Sequence, residues 1–357
     1  MSRYYHLLAR TPRWRRCLQG LAWITLLVAA TLCALWGGMA LHLHIPNRYR
    51  LPEALILVWG FAWLVALGWA VLQRRLLPLM AGGLALMLGL LVWWSTITPQ
   101  TQRDWADDVS RQVRITTDVQ QPELVQVDHV RNFRWRSDTD YTQQWETRRY
   151  DLRQLRSVDV ALSYWMGPAI AHTLVSFGFS DGQQLVFSIE IRKERHEQFD
   201  PVAGFFKQYE MVLVAADERD ILAVRTNVRD EQVHLYRVKL PQQEMRELFM
   251  AYARQATQLE HAPRFYHTLT ANCTTIIWQL ARRIGQPLPT DARLLASGYL
   301  PEYLRDTGAL ESMQPLEVLR TTGDITARAQ QWRPPAGLND AAASVHFSRH
   351  IRQGMHL

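Results

Sequence analysis

The stretch "AHTLVSFGFSDGQQLVFSIEIRK", residues 171–193, holds two runs rich in β-branched and aromatic residues on either side of a short polar break. The break, Ser180-Asp181-Gly182, ends in glycine, which is typical of a three-residue hairpin loop closed by a left-handed residue. With that loop, pairing outward along the strands sets His172 opposite Glu190 on one face of the sheet. A two-residue Asp-Gly turn would shift the register by one and place them on opposite faces.

Other runs along the chain extend the pattern around this hairpin. Strand-like segments lie at 122–135, 157–165, 211–216 and 233–240, and helical periodicity appears at 241–259 and from Cys273 onward. Strands with segregated helices predict an α+β domain, with an antiparallel sheet and a helix that begins at the cysteine.

The N-terminal part of the chain is of another kind. Three apolar runs, 17–41, 54–73 and 76–98, are each long enough to cross the hydrocarbon core of a bilayer as a helix. We therefore predict a membrane domain over 1–98 with three transmembrane helices, a linker over 99–121, and a C-terminal domain with a helical tail over 122–357.

The formal net charge of +7 comes from the membrane domain, since residues 1–98 net +8 and the remainder nets −1. A nucleic-acid surface on the C-terminal part is therefore unsupported. Arginines concentrate before the first apolar run and between the second and third, with fewer in the first loop. The arginines before the first run or between the second and third are Arg3, Arg10, Arg13, Arg15, Arg16, Arg74 and Arg75. Those in the loop between the first and second runs are Arg48 and Arg50. In a bacterium this bias predicts an inner-membrane protein with a cytoplasmic N-terminus and a periplasmic C-terminal domain.

Cys273 is then an isolated thiol in an oxidising compartment. Cys17 and Cys33 lie at or within the first apolar run, so neither can pair with Cys273 in the same chain. Such a cysteine is either a buried small side chain or a thiol with a chemical use, and its isolation does not decide between the two.

The start of a helix favours the thiolate, because the dipole and the free N–H groups stabilise negative charge there. Asn272 and Thr274 flank Cys273 and are candidates for capping or for support of an oxyanion. The candidate base is His172, oriented by Glu190, and the rival base is His267. The alternative is a polar cross-strand pair on a solvated face and a cysteine that only packs.

The motifs of other enzyme classes are missing from the sequence. There is no zinc-type spacing of His, Cys and Asp, and no G-x-S-x-G, Walker or Rossmann motif. We expect neither a metal nor an organic cofactor.

Several ordered blocks resemble the Lnb-type periplasmic domain family, from about residue 125 to about residue 280. The blocks are "VRNFRW", "YDLRQLRSVDVALSYW", "AHTLVSFGFSDGQQLVFSIEIRKE", "ADERDILAVRTNVRDEQVHLY" and "FYHTLTANCTT". The family is similar to circularly permuted, papain-like NlpC-type thiol enzymes, in which the His strand precedes the Cys helix. The resemblance places the family's histidine on His172, its Ser-x-Glu-x-Arg block on Glu190 and Arg192, and its cysteine on Cys273. The family's tyrosine-asparagine pair reads Tyr266-His267 here, a departure that removes the asparagine.

Some members of that family act as lipoprotein N-acyltransferases. The resemblance implies a Cys273 thioester formed from a membrane phospholipid and passed to an amine, such as the N-terminus of a diacylglyceryl lipoprotein. Arg192 and Trp165 are the candidate substrate-binding residues. The competing hypotheses are a thiol amidase or peptidase acting on cell-wall or periplasmic peptides, and an inactive membrane-anchored binding module.

Overall fold

The computed structural model describes residues 13–45, 50–284 and 288–355. The chain divides into two compact units, Met1–Thr98 and Pro99–Leu357. The second unit is called the C-terminal domain below.

The first unit contains three helices, α1 (Arg13–His44), α2 (Leu51–Gln73) and α3 (Leu77–Ser95). Each is long and apolar enough to cross a membrane. The three predicted apolar helices are therefore confirmed. Of the arginines used for the orientation, Arg3, Arg10 and Arg48 lie outside the described residues.

The C-terminal domain is built on one eight-stranded sheet. Its strands are β1 (Arg114–Thr117), β2 (Leu124–Arg131), β5 (Trp145–Asp151), β6 (Leu155–Tyr164), β7 (Ala171–Phe179), β8 (Gln184–Arg192), β9 (Glu210–Ala216) and β10 (Gln232–Val238). The order across the sheet is β1-β2-β9-β8-β7-β6-β10, with β5 also paired to β2. Strands β3 (Arg134–Trp135) and β4 (Tyr141–Thr142) form a separate small hairpin.

The predicted α+β fold is confirmed, and the structure adds two details to it. The sheet is mostly antiparallel but mixed, because β2 and β9 pair in parallel at Val130 and Ala215. No tight turn joins these two strands, so local sequence does not fix their relative direction. Residues 99–121, predicted as a linker, include the buried Trp105 and strand β1, which pairs with β2.

Helices cover both faces of the sheet. They are α4 (Glu218–Ala223), α5 (Gln242–His261), α6 (Cys273–Ala281), α7 (Leu300–Asp306), α8 (Leu316–Gly323), α9 (Thr326–Gln331) and α10 (Asp340–Ile351). On one face, α5 and α6 pack on Phe177 and Phe187 of the hairpin. On the other face, α4, α9 and α10 pack on Leu174 and Val186. Successive side chains of β7 and β8 point to opposite faces of the sheet, so each hairpin side chain faces one of these two groups of helices.

The C-terminal tail is bound to the core by buried charges. Arg352, just after α10, pairs with Asp159 of β6 at 2.9 Å and with Glu218 of α4 at 2.6 Å. Both carboxylates are fully buried, and the guanidinium compensates them together with Arg237, which also pairs with Asp159. The tail is therefore an integral part of the domain.

Candidate active site

The β7–β8 hairpin has the predicted three-residue loop. The Phe179 N–H donates to the Gln183 carbonyl at 3.0 Å, and Gly182 has a φ of +89°, which a glycine adopts without strain. Leu174 pairs with Ser188, the register that the loop predicts. The prediction of the hairpin and its register is confirmed.

This register brings His172 and Glu190 together two residues beyond the Leu174–Ser188 pair. His172 Nε2 lies 3.2 Å from Glu190 Oε1 and 2.7 Å from the Ser188 hydroxyl. Ser188 donates to Glu190 Oε1 at 2.7 Å, so its oxygen accepts from the Nε2–H group of His172. Because Nε2 serves this relay, Nδ1 is the ring nitrogen that remains for proton exchange with a thiol.

Glu190 is held in turn by a buried arginine. Arg225 lies in a π-helical turn after α4, Val224–Val228, and contacts Glu190 Oε1 at 3.0 Å and Glu231 Oε2 at 3.2 Å. Burial alone would raise the pKa of Glu190, but the charges of His172 and Arg225 hold it well below the usual value. Glu190 is therefore a carboxylate at neutral pH, able to orient and stabilise an imidazolium.

Cys273 is the first residue of α6 and is buried. The preceding Asn272 caps the helix, accepting from the Thr275 N–H at 2.8 Å, while the Thr275 hydroxyl accepts from the Asn272 N–H at 2.9 Å. This capping box consumes the third N–H of the helix and fixes where the helix begins. The thiol is consequently held at the positive end of the α6 dipole.

The thiol and the imidazole lie within hydrogen-bonding reach of each other. Burial opposes thiolate formation, but the charge of His172, with hydrogen bonds from His172 and the Thr173 N–H, lowers the pKa of Cys273 to about 7. Burial likewise opposes the imidazolium, but the charges of Glu190 and Cys273 raise the pKa of His172 to about 9. Between these values the thiolate–imidazolium pair is the favoured state.

Two tyrosines approach the same sulfur. Burial and the nearby Cys273 charge raise the pKa of Tyr266, whose hydroxyl also accepts from the Cys273 backbone N–H and shares a hydrogen bond with the thiol. Burial and the same charge raise the pKa of Tyr252, but its hydroxyl has no hydrogen-bond partner among the described residues. Tyr266 is therefore the tyrosine that is hydrogen-bonded to the reacting residue.

The remaining predicted residues have other contacts. The Nδ1 atom of His267 accepts from the backbone N–H groups of Leu269 and Thr270 at 3.3 Å, which makes this rival base a loop residue. The Thr274 hydroxyl lies 2.8 Å from that of Thr173 and 3.9 Å from the Cys273 sulfur, so it links α6 to β7.

Neither candidate substrate-binding residue contacts the dyad. Arg192 donates to the carbonyl oxygens of Val109 and Ser110 at 3.1 and 2.6 Å, and therefore anchors the start of the domain. Trp165 is exposed and packs edge-on against Phe199, with 5.2 Å between ring centroids.

Three site residues were missed from sequence. Ser188 could have been found, because it lies two residues before Glu190 and so shares its face of β8. Tyr266 could have been suspected from the Tyr-His pair before the cysteine. Arg225 carries no local signal, since its position depends on how α4 packs on the sheet. Among the described residues, no group of three His, Cys, Asp or Glu side chains could hold a metal ion.

Three membrane-type helices followed by an α+β domain with this site define a membrane protein with a C-terminal α+β domain. The family model of the Lnb N-terminal periplasmic domain matches residues 141–298. The resemblance seen in the sequence is confirmed by this match. No curated protein and no solved structure matched the chain. The likeness to permuted papain-like enzymes stays a prediction.

The dyad predicts the pH dependence of Cys273 alkylation. In the wild-type protein, the rate with iodoacetamide should rise with a midpoint near the thiol pKa of about 7. In His172→Ala the midpoint should move to higher pH, because the charge that lowers the Cys273 pKa is gone. Burial, which raises that pKa, is then opposed only by the hydrogen bonds from Thr173 and Thr274. We expect alkylation at pH 7 to slow by more than about tenfold, measured by mass spectrometry of the Cys273 peptide.

His267→Ala is the matched control and should reproduce the wild-type profile, because its ring contacts the Leu269 and Thr270 N–H groups and the Phe205 ring, not the dyad. A His172→Ala profile that overlays the wild type would show that the imidazole does not charge the thiol.

Proposed function

We propose that the protein is a membrane-anchored cysteine acyltransferase. Cys273 takes an acyl chain from a membrane phospholipid and passes it to an amine, the N-terminus of a diacylglyceryl lipoprotein. The observation that carries the proposal is the Cys273–His172–Ser188–Glu190 relay at the start of α6, with Cys273 and Ser188 buried and His172 and Glu190 partly buried. The match to the Lnb N-terminal periplasmic domain and the three apolar helices support it, since both substrates reside in a membrane.

In the first half-reaction the Cys273 thiolate attacks the carbonyl carbon of a phospholipid ester. The C–S bond forms, the ester C–O bond breaks, and the His172 imidazolium gives its proton to the departing glycerol oxygen. The products are a lysophospholipid and a thioester. Glu190 stays ionised throughout and orients the ring through Ser188.

In the second half-reaction the neutral amine attacks the thioester carbonyl. The C–N bond forms, the C–S bond breaks, and His172 accepts the proton that the amine loses. The enzyme returns to the thiolate–imidazolium pair, and the acceptor leaves as an amide.

Each tetrahedral intermediate carries an oxyanion that needs donors. The Cys273 N–H, at the open end of α6, is one, and the Tyr266 hydroxyl that now accepts from it is the second. The carbonyl oxygen takes the place of the tyrosine oxygen at the N–H, and the tyrosine O–H turns to donate to it.

The proposed location follows from the arginine bias and the family. The N-terminus lies in the cytoplasm of a bacterium, the three helices lie in the inner membrane, and the C-terminal domain lies in the periplasm.

The first test is an acyl adduct. Purified full-length protein incubated with phosphatidylethanolamine should gain the mass of one long acyl chain on the Cys273 peptide. His172→Ala should lose the adduct because its thiol is not ionised, whereas His267→Ala should retain it. A diacylglyceryl-cysteinyl peptide should then discharge the adduct and become an amide, while the same peptide with an acetylated N-terminus should not.

Other outcomes point to the competing functions. Cleavage of muropeptides without a lipid adduct would contradict acyl transfer and support a thiol amidase. Absence of both reactions in the wild type would support a binding module.

The second test concerns the oxyanion. Tyr266→Phe should slow adduct formation by about 100-fold, because one of two donors is lost. Tyr252→Phe is the matched control and should stay within about twofold of the wild type, since its hydroxyl has no partner to lose. Stopped-flow or quenched-flow mass spectrometry measures both rates, and equal rates for the two variants would remove Tyr266 from the mechanism.

A further inference from the structure

Large apolar side chains are exposed at the Cys273 end of the sheet. They are between 38% and 52% exposed and lie on the loops that precede β7, follow β8 and precede α6. They are Trp165, Met166, Phe199, Val202, Phe205 and Leu269, here called the apolar rim. Leu295 and Tyr299 continue it, and among the described residues of the C-terminal domain only Val119, Met313 and Leu338 are exposed large apolar residues outside these loops.

The rim is one connected structure. The Trp165 ring packs on Phe199, which joins the first loop to the second. The second loop is bound to the third, since the Thr268 hydroxyl donates to the Pro201 carbonyl at 3.1 Å. Thr268 in turn accepts from the Asn272 side chain at 2.7 Å, next to the reacting cysteine. The rim is therefore linked to Cys273 by one ring contact and two hydrogen bonds.

The chain enters the domain at this same end. Trp105 bridges to Glu194, just after β8, and the Gln100 N–H donates to Glu210 at the start of β9 at 2.9 Å. The end of β8, the starts of β7 and β9, and the apolar rim all share one end of the sheet, because β8 is antiparallel to both neighbours.

A short stretch of chain joins the last membrane-type helix to this entry point. Helix α3 ends at Ser95, and the chain from there to Gln100 reaches at most about 18 Å when extended. A rim of tryptophan, phenylalanine and aliphatic residues at the end where this short connection enters suits the boundary between headgroups and acyl chains.

We propose that the apolar rim inserts into the leaflet of the membrane that its own helices span, and that it presents Cys273 directly to lipid. The partner is the bilayer surface and not a protein groove. The identity of the lipid as acyl donor rests on the proposed function, but insertion of the rim does not.

Insertion is tested with depth-dependent quenching of the full-length chain in phosphatidylethanolamine and phosphatidylglycerol vesicles. In a Cys17→Ala, Cys33→Ala, Cys273→Ala background, single cysteines replace Val202 or Leu269 and carry a bimane label. Leu338→Cys and Met313→Cys are the matched controls. Leu338 is 41% exposed, and it lines a cleft with Asp181 at the hairpin-loop end of the sheet. Met313 follows Leu310, which bridges to Val238 at that same end.

Doxyl-labelled phosphatidylcholine should quench the two rim labels at least threefold more than the control labels. Equal quenching at all four positions would overturn the proposal. Rim labels that are blue-shifted yet not quenched by lipid would also overturn it, because a second copy or another protein would then cover the rim.

A second arm separates this inference from the proposed function. Phe199→Asp with Val202→Asp should lower the yield of acyl adduct from vesicle phospholipid at least tenfold, whereas Leu338→Asp with Met313→Asp should not. Iodoacetamide alkylation of Cys273 should be unchanged in both, which shows that the site is intact. If the wild type forms no adduct, the proposed function fails while the quenching still decides insertion. If adduct forms and the rim variant matches the wild type, insertion fails alone.

Discussion

The site depends on the number of residues in the loop between β7 and β8. Three residues between Phe179 and Gln183 set Leu174 against Ser188, and that register puts the side chains of His172, Ser188 and Glu190 on one face of the sheet. A loop one residue shorter would turn every side chain of one strand to the opposite face. Either Leu174 of β7 or Val186 of β8 would then leave the core beneath α4 and α10, so packing and chemistry enforce the same register.

Charge compensation is the second constraint. A thiol, an imidazole and a carboxyl group are removed from water together, and any one left charged alone would be costly. The cost is offset because neighbouring groups carry opposite charges. The order is the Cys273 thiolate, the His172 imidazolium, the Glu190 carboxylate, the Arg225 guanidinium and the Glu231 carboxylate. Arg225 does not reach the sulfur, yet it keeps Glu190 ionised, and Glu190 in turn keeps His172 protonated. The reactivity of Cys273 thus depends on the π-helical turn that holds Arg225 beside Glu190.

Features decided by short-range sequence were predictable. The hairpin follows from Ser180-Asp181-Gly182, the start of α6 from Asn272, and the three apolar helices from composition alone. Features decided by packing of distant segments were not. The parallel pairing of β2 with β9, the anchoring of polar residues 99–121 through Trp105, and the arrival of Arg225 beside Glu190 each join parts of the chain separated by many residues. The exposure of Trp165 was also not predictable from local sequence. A tryptophan beside a strand is compatible with core packing and equally with the exposed rim where Trp165 lies.

The central claim is that the resting site is a thiolate–imidazolium pair, and the protonation state of His172 tests it most directly. The full-length protein, labelled with ¹⁵N-histidine in vesicles, gives a His172 signal that is identified by its loss in His172→Ala. At pH 8, below the His172 pKa of about 9, both ring nitrogens should show the shifts of a protonated imidazolium. In Glu190→Gln at the same pH the ring should be neutral, because the carboxylate charge that opposes burial is gone. A neutral His172 in the wild type at pH 8 would contradict the ion pair and, with it, the activation of Cys273.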